Sequence, residues 1–195
     1  MALESTVELS EKYEAVMVLS GVGGALGYKN GLLELCESRT QIHEKLGGLN
    51  KIDIKGWRVS DDTVLHIATA EALVSEWATT EELLCIMASK YKKTCAEDMW
   101  ERAPGQTTTK ACFLLQPLEE KGYIIPYNER DGGCGAAMRS MCIDSDSTDI
   151  LAIAWWGGMY GMKGVSLGNC RNLEYGLKLM ELGEKLLNVS KNMNN

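Results

Sequence analysis

Two acidic segments, each followed directly by an apolar stretch that favours a helix, hold the residues best suited to chemistry. Asp61 and Asp62 lie in the sequence SDDT, and Asp144 and Asp146 lie in the sequence DSDST. Ser, Thr and Asp are preferred at helix N-caps, and acidic side chains in a first turn suit the helix dipole. Helix capping therefore explains either segment on its own.

A metal site explains the two segments together. If they converge, up to four carboxylates crowd into one place, and that many like charges stay ionised only when cations neutralise them. Carboxylate and hydroxyl oxygens suit Mg²⁺, whereas zinc favours His or Cys. From composition alone, capping and metal binding remain about equally good explanations. His66, one turn after Asp62, is more typical of a buried, hydrogen-bonded histidine than of a ligand.

Two glycine-rich segments also have alternative interpretations. The sequence DGGCGAAMR at 131–139 offers free backbone N–H groups where a helix begins, which suits either a turn with tight packing or a pyrophosphate cradle. The sequence SGVGGALGYKNG predicts tight packing or a close backbone approach. It is not a dinucleotide fingerprint, because Leu26 stands where the third glycine belongs and no β-branched strand precedes it.

The elements that must position these residues are predicted to be helices in a single domain. Proline is scarce, with three residues in a chain of 195, and no repeat of 20–50 residues is present. The residues near 116–133 are expected to be irregular, and the tail at 188–195 is expected to be frayed. Periodicity and capping patterns predict helices at about 10–19, 39–46, 61–76, 80–94, after Gly105, from about 134, at about 150–162 and from 172 to 187.

Composition excludes several classes of protein. The net charge of −7, with no basic run, argues against a nucleic-acid partner. No apolar run has the length of a membrane span, and the acidic start lacks the apolar region of a signal peptide. Seven cysteines, without a CxxC pair, lie mostly among apolar residues. We therefore expect reduced thiols and a cytoplasmic protein.

Four motifs in order resemble the ADP-ribosylglycohydrolases, closest to the branch that removes ADP-ribose from protein arginine side chains. They are WRVSDDTVLHIATAEAL, ERAPG, PYNERDGGCGAAMRSMCI, and DSDST followed by WWGGMYGMKGV and LEY. The resemblance implies an all-α, orthogonal helical bundle. In this chain, residues 1–143 resemble the family's N-terminal half and residues 144–187 its C-terminal end, so the bundle is expected to be incomplete.

The resemblance also implies a site with two Mg²⁺ ions. One group of metal ligands would be Ser60, Asp61 and Asp62, and the other would be Asp144, Asp146 and Ser147. Asp61 or Asp62 would also act in catalysis, by assisting proton transfer or activating water. The substrate-binding residues would be Glu34, Gly105, Thr108 and the loop Gly132, Gly133, Cys134 and Gly135.

The implied activity is hydrolysis of the N-glycosidic bond between ADP-ribose and arginine side chains of modified proteins. The expected partners are those proteins and ADP-ribose, and the expected state is a monomer. Two departures from the family pattern bear on this. Gly24 stands where the family commonly has Asp, and a long central portion is missing after Ile143. A non-catalytic relative that binds ADP-ribose or a partner protein, and a truncated product with an incomplete core, are therefore alternatives to an enzyme.

Overall fold

The computed structural model describes residues 7–48, 52–127, 129, 139, 157–163 and 167–193. These residues form helices, turns and irregular segments and contain no strand, which confirms the all-α expectation. The helices are α1 (Leu9–Tyr28), α2 (Arg39–Leu46), α3 (Asp61–Leu73), α4 (Thr80–Glu97), α5 (Gln106–Leu114), α6 (Leu167–Asn172) and α7 (Gly176–Met193), and a 3₁₀ turn, Lys29–Gly31, follows α1.

Local signals place both ends of α2 and the start of α4 where the sequence predicts them, whereas α4 ends at Glu97, beyond the predicted residue 94. Ser38 caps α2 by accepting a hydrogen bond from the Gln41 amide, and Gly47 ends it in the left-handed conformation. At α4, the Thr79 side chain accepts from the Glu82 amide while the Glu82 carboxylate accepts from the Thr79 amide. This reciprocal capping box satisfies two backbone donors that the helix itself leaves unpaired.

The glycine-rich segment lies inside α1 rather than after it. A Cβ built at Gly21 would lie 2.7 Å from a methyl group of Leu179 on α7. The same helices meet again at Gly183, where a Cβ would lie 2.6 Å from the Cα of Glu14. Glycine lowers helix propensity by roughly 1 kcal/mol relative to alanine. Here the close packing of α1 on α7 offsets that cost, so α1 runs nine residues beyond the predicted end.

The last helix also continues further than predicted. The sequence analysis expects a frayed tail from residue 188, but α7 remains helical to Met193. Leu179, Leu182, Leu186 and Leu187 are all buried along one face of this helix. This apolar face docks on the core and stabilises the helix beyond what its asparagine-rich end would favour.

Helix α3 lies in the centre of the described structure and carries the SDDT segment. It packs against α1, α4 and α7, and most of its side chains are buried. At its far end Glu71 forms ion pairs with Lys90 of α4 and Lys178 of α7. The position of Asp61 and Asp62 is therefore set by three neighbouring helices.

Helix α5 is tied to α4 by a disulfide between Cys95 and Cys112. This pair corrects the expectation that the cysteines are reduced thiols. The two cysteines are 17 residues apart, and only the packing of α5 on α4 brings them together. Cys36, Cys85 and Cys170 are free thiols.

Other predicted segments are described only in part. Of the apolar helix expected at about 150–162, the structure describes one helical turn at 157–160. Of the helix expected from about 134, it describes Arg139. None of the helices in the described ranges combines the length and apolar character needed to cross a membrane.

Candidate functional site

The start of α3 presents a hydroxyl and two carboxylates at one end of the helix. Ser60 occupies the N-cap position with an extended backbone, but its side chain makes no capping hydrogen bond. Backbone N–H groups, including that of Asp62, lie near the Asp61 carboxylate and lower its pKa. The Ser60 hydroxyl is not used for capping and is available to another partner.

Asp61 connects α3 to the loop before α5. It is only 9% exposed, and the backbone N–H of Gly105 lies near its carboxylate and lowers its pKa. Burial raises the pKa of Asp61, while the backbone donors and the nearby charge of Arg139 partly oppose that shift. The structure thus brings Gly105, expected to be in a substrate loop, close to one of the expected metal ligands.

Asp62 lies beside Asp61 and is half-buried. Its pKa is raised to about 7, first by burial and then by the negative charge of Asp61, while Arg139 opposes the shift. Glu34 acts on Asp62 in the same direction as Asp61. A carboxyl with this pKa exchanges its proton readily near neutral pH, and a bound cation would instead favour its ionised form.

Glu34 reaches the same place from the chain after α1. It follows the 3₁₀ turn, in which Asn30 is left-handed, and it is exposed to solvent. Partial burial of its carboxyl raises the pKa of Glu34, and Asp61 adds to the increase. Acidic residues from two separate segments, Glu34 and the pair Asp61 and Asp62, therefore lie within electrostatic reach of one another, with Glu34 at the solvent side.

Helix α1 contacts this end of α3 through Gly24. A Cβ built at Gly24 would lie 2.2 Å from Oγ1 of Thr63 and 3.4 Å from Oγ of Ser60. The departure from the family's usual Asp at this position therefore coincides with a tight approach of the two helices. Any larger side chain at position 24 requires the Thr63 hydroxyl to move.

Arg139 is a site residue to which the sequence analysis assigns no role. Its charge acts on both Asp61 and Asp62. Its Nη2 donates to the Thr108 hydroxyl at 3.2 Å, and its guanidinium lies 5.8 Å from the centroid of the Tyr91 ring. Thr108, an expected substrate residue, is thus held near the carboxylates through Arg139. The only sequence signal for Arg139 is its place in the motif GGCGAAMR.

Seven predicted site residues lie outside the described residues. They are Gly132, Gly133, Cys134 and Gly135 of the glycine loop and Asp144, Asp146 and Ser147 of the second acidic segment. Within the described ranges, no group of three or more His, Cys, Asp and Glu side chains is arranged to hold a metal ion. Ser60, Asp61 and Asp62 are thus oxygen donors that need further ligands to complete a metal site.

Comparison with known proteins identifies the family. The family model described as ADP-ribosylglycohydrolase matches residues 5–144, a range that contains Glu34, Asp61, Asp62, Gly105 and Thr108. The chain belongs to the ADP-ribosylglycohydrolase family. The match covers well over half of the chain and confirms the resemblance seen in the motifs.

Two curated relatives are much longer than the part of them that this chain matches. It is 41% identical over 143 residues to ADP-ribosylhydrolase ARH1 of Dictyostelium discoideum, which covers 68% of this chain and 36% of the relative. It is also 28% identical over 141 residues to the putative ADP-ribosyl glycohydrolase L444 of Acanthamoeba polyphaga mimivirus. This match covers 64% of this chain and 27% of the viral protein. The chain therefore matches about a third of the length of these relatives.

Proposed function

We propose that this chain hydrolyses the N-glycosidic bond between ADP-ribose and an arginine side chain of a modified protein, with Mg²⁺ as cofactor. The observation that carries the proposal is the arrangement at the start of α3. Asp61 is buried and the adjacent Asp62 is half-buried, beside a Ser60 hydroxyl that takes no part in capping. Membership of the family and the 41% identity to an ADP-ribosylhydrolase support the choice of ADP-ribose as the group released.

The candidate ligand atoms are of the type that Mg²⁺ prefers. Ser60, Asp61 and Asp62 offer only oxygen atoms, and burial beside one another raises the pKa values of both aspartates. A divalent cation would remove the cost of ionising two adjacent carboxyls. Asp144, Asp146 and Ser147 are proposed as the remaining ligands, from the sequence alone. When bound, Mg²⁺ would orient the ribose hydroxyls and stabilise negative charge.

The chain's own carboxylates supply the proton chemistry in this proposal. Asp61 or Asp62 takes a proton from a water molecule as the water oxygen attacks the anomeric carbon. The bond from that carbon to the guanidino nitrogen breaks with its electron pair on nitrogen. The proton taken up by the carboxylate then returns to the departing guanidine, which leaves as guanidinium.

The negative charge at the solvent side of the site favours arginine as the side chain to which the ADP-ribose is attached. Glu34 is exposed at the solvent side of the aspartate pair. An exposed carboxylate at this position attracts a guanidinium cation and forms charge-assisted hydrogen bonds with it. A serine-linked ADP-ribose offers no such cation, so Glu34 is proposed to distinguish the two linkages.

The test is release of ADP-ribose from a protein modified on arginine, measured with Mg²⁺ and after chelation. The parent chain is expected to release ADP-ribose only with Mg²⁺, and to act poorly on a serine-linked substrate. Asp61→Asn and Asp62→Asn should each lower the rate at least 100-fold. The matched control is Glu97→Gln, because Glu97 is an exposed acid at the end of α4. Release by both aspartate variants at the parent rate would contradict the proposal.

A second candidate function is binding of ADP-ribose without hydrolysis. It is favoured by the limited coverage of the relatives and by the absence of a complete metal-ligand group among the described residues. Calorimetric titration with free ADP-ribose separates the two candidates. Saturable binding with no release from the arginine-modified substrate would favour the binder and exclude the hydrolase.

A further inference from the structure

A buried ion pair links the segment before Asp61 to the C-terminal part of the chain. Arg102 is 4% exposed and lies just before α5. Its Nη1 donates to Glu174 Oε2 at 2.9 Å and its Nη2 donates to Glu174 Oε1 at 2.8 Å. This two-pronged geometry fixes the relative orientation of guanidinium and carboxylate more tightly than a single contact does.

The same pair holds both backbone polar groups of Val59. The Val59 amide donates to Glu174 Oε2 at 2.7 Å, and the Val59 carbonyl accepts from Arg102 Nη1 at 2.8 Å. Val59 is fully buried and immediately precedes Ser60. Because Val59 is held from both sides, the point at which α3 begins is fixed.

The remaining contacts of Arg102 anchor it to the end of α4. Nε donates to the Asp98 backbone carbonyl at 2.7 Å, and Nη2 donates to Asp98 Oδ1 at 2.9 Å. Tyr175, next to Glu174, donates to Asp98 Oδ2 at 2.6 Å. Every N–H group of the Arg102 side chain thus has an acceptor nearby, as a buried cation requires.

Arg102 also governs the other side of the site. Gly105, whose backbone N–H lies near the Asp61 carboxylate, is three residues after Arg102 in the same loop. An anchor at Arg102 therefore acts on Asp61 from two sides, through Val59 and through Gly105. No comparable anchor is needed merely to start a helix, since Ser60 and Asp61 are themselves suitable capping residues.

We infer that Arg102 and Glu174 are positioning residues that hold Ser60, Asp61 and Asp62 in the geometry needed to bind Mg²⁺. The inference rests on the proposed function as far as the metal is concerned. Neither side chain is placed among the metal ligands. They act through Val59 and Gly105, and residues that orient metal ligands in this way commonly change metal affinity by about 10- to 100-fold when replaced.

The variant Glu174→Gln tests this with little change of shape, because it keeps one carbonyl oxygen and removes the charge. The matched control is Glu71→Gln, which removes the charge from another ion-pair network of α3, at the opposite end of the helix. Calorimetric titration with Mg²⁺ is expected to show a dissociation constant at least tenfold higher for Glu174→Gln and unchanged for Glu71→Gln. Equal effects in the two variants, or none in either, would overturn the inference.

Amide hydrogen exchange separates this inference from the proposed function. In Glu174→Gln the amides of residues 59–62 should exchange at least tenfold faster than in the parent, and in Glu71→Gln they should not. If the parent binds no Mg²⁺, the metal in the proposed function is wrong and the exchange rates alone decide whether the pair positions this segment. Unchanged exchange in Glu174→Gln would overturn the inference in that case too. Arg102→Lys, which keeps the charge but loses the fork, replaces Glu174→Gln if that variant does not melt cooperatively.

Discussion

Gly183 of α7 lies directly against the backbone of Glu14 in α1. A Cβ at Gly183 would be 2.6 Å from the Glu14 Cα, and 2.9 Å from the carbonyl oxygen of the preceding residue, Tyr13. Backbone atoms in a helix cannot move aside as the tip of a flexible side chain can. The spacing between the two helices therefore depends on the absence of a side chain at this position.

Gly183→Ala is expected to destabilise the protein, although alanine is the better helix former. Forcing a methyl group into this contact should lower the free energy of unfolding by about 1–3 kcal/mol, as overpacking generally does. Gly27→Ala is the control, since Gly27 is exposed within α1 and a Cβ there meets nothing within 4 Å. Urea denaturation should show Gly27→Ala to be more stable than the parent by about 0.5–1 kcal/mol. A stable Gly183→Ala variant would show that α7 is not packed as closely as described.

Gly24 and Thr63 are expected to be energetically coupled. Gly24→Ala should destabilise by about 1–3 kcal/mol because its methyl group would overlap Thr63 Oγ1, which lies 2.2 Å from the built Cβ. Combining it with Thr63→Ala removes that oxygen and should recover much of the loss. A double-mutant cycle from urea denaturation measures the coupling, and we expect at least 0.5 kcal/mol. Strictly additive effects would contradict the close approach of α1 to the start of α3.

His66 is expected to make stability depend on pH. It is fully buried, its Nε2 lies 3.1 Å from the Met17 sulfur, and its Nδ1 has no hydrogen-bond partner in the described part of the chain. Burial lowers its pKa from 6.5 to about 4. Between these values the unfolded chain binds the proton and the folded chain does not. The part of the free energy of unfolding that depends on neutral His66 is therefore fully present above pH 6.5 and is lost as the pH falls toward 4.

The loss attributable to His66 should approach about 3 kcal/mol at pH 4, given ~1.4 kcal/mol for each pKa unit. The measurement is urea denaturation of the parent and of His66→Met from pH 4 to 8. Other groups titrate alike in both proteins, so the difference between the two curves isolates the histidine. If both proteins lose stability equally on acidification, His66 is not held neutral by burial.

Reduction of the Cys95–Cys112 disulfide is expected to destabilise the protein. A cross-link between residues 17 apart restricts the unfolded chain, and removing it should cost about 3 kcal/mol. Thermal melts with and without a reducing agent measure this, and alkylation followed by mass determination reports the thiols. Cys112→Ala should melt at the same temperature with and without reductant. A parent that also melts identically in both conditions would show that the disulfide is not formed in solution.

Sequence patterns predicted best what depends on neighbours in the chain. The Thr79–Glu82 capping box and the left-handed Gly47 are local features, and both ends lie where the patterns placed them. Helix α1 was predicted too short because its glycines are unfavourable by propensity. The benefit of Gly21 arises only when α7, more than 150 residues further along, packs against it, and that of Gly24 only when α3 does. Helix propensity depends on neighbours in the chain and does not include contacts between helices so distant in sequence.

The candidate site shows the same division. Asp61 and Asp62 were identified from their place at the start of an apolar helix, and Glu34 and Gly105 from family motifs. The partners of Arg102 were not foreseen, because Val59 and Glu174 are 115 residues apart in sequence and meet only in the folded chain. The motifs ERAPG and LEY were recognised, but nothing in either indicated that they contact each other.

The link from Glu174 to Val59 also has a consequence for the order of folding. During synthesis, Arg102 and the start of α3 leave the ribosome well before Glu174 does, so they initially lack one of their acceptors. Contacts between segments so distant in sequence form late, because the entropic cost of closing the intervening chain must be met first. The aspartate pair therefore reaches its final arrangement only when the segment that contains Glu174 docks, and a nascent chain that lacks Glu174 leaves the Val59 amide without this acceptor.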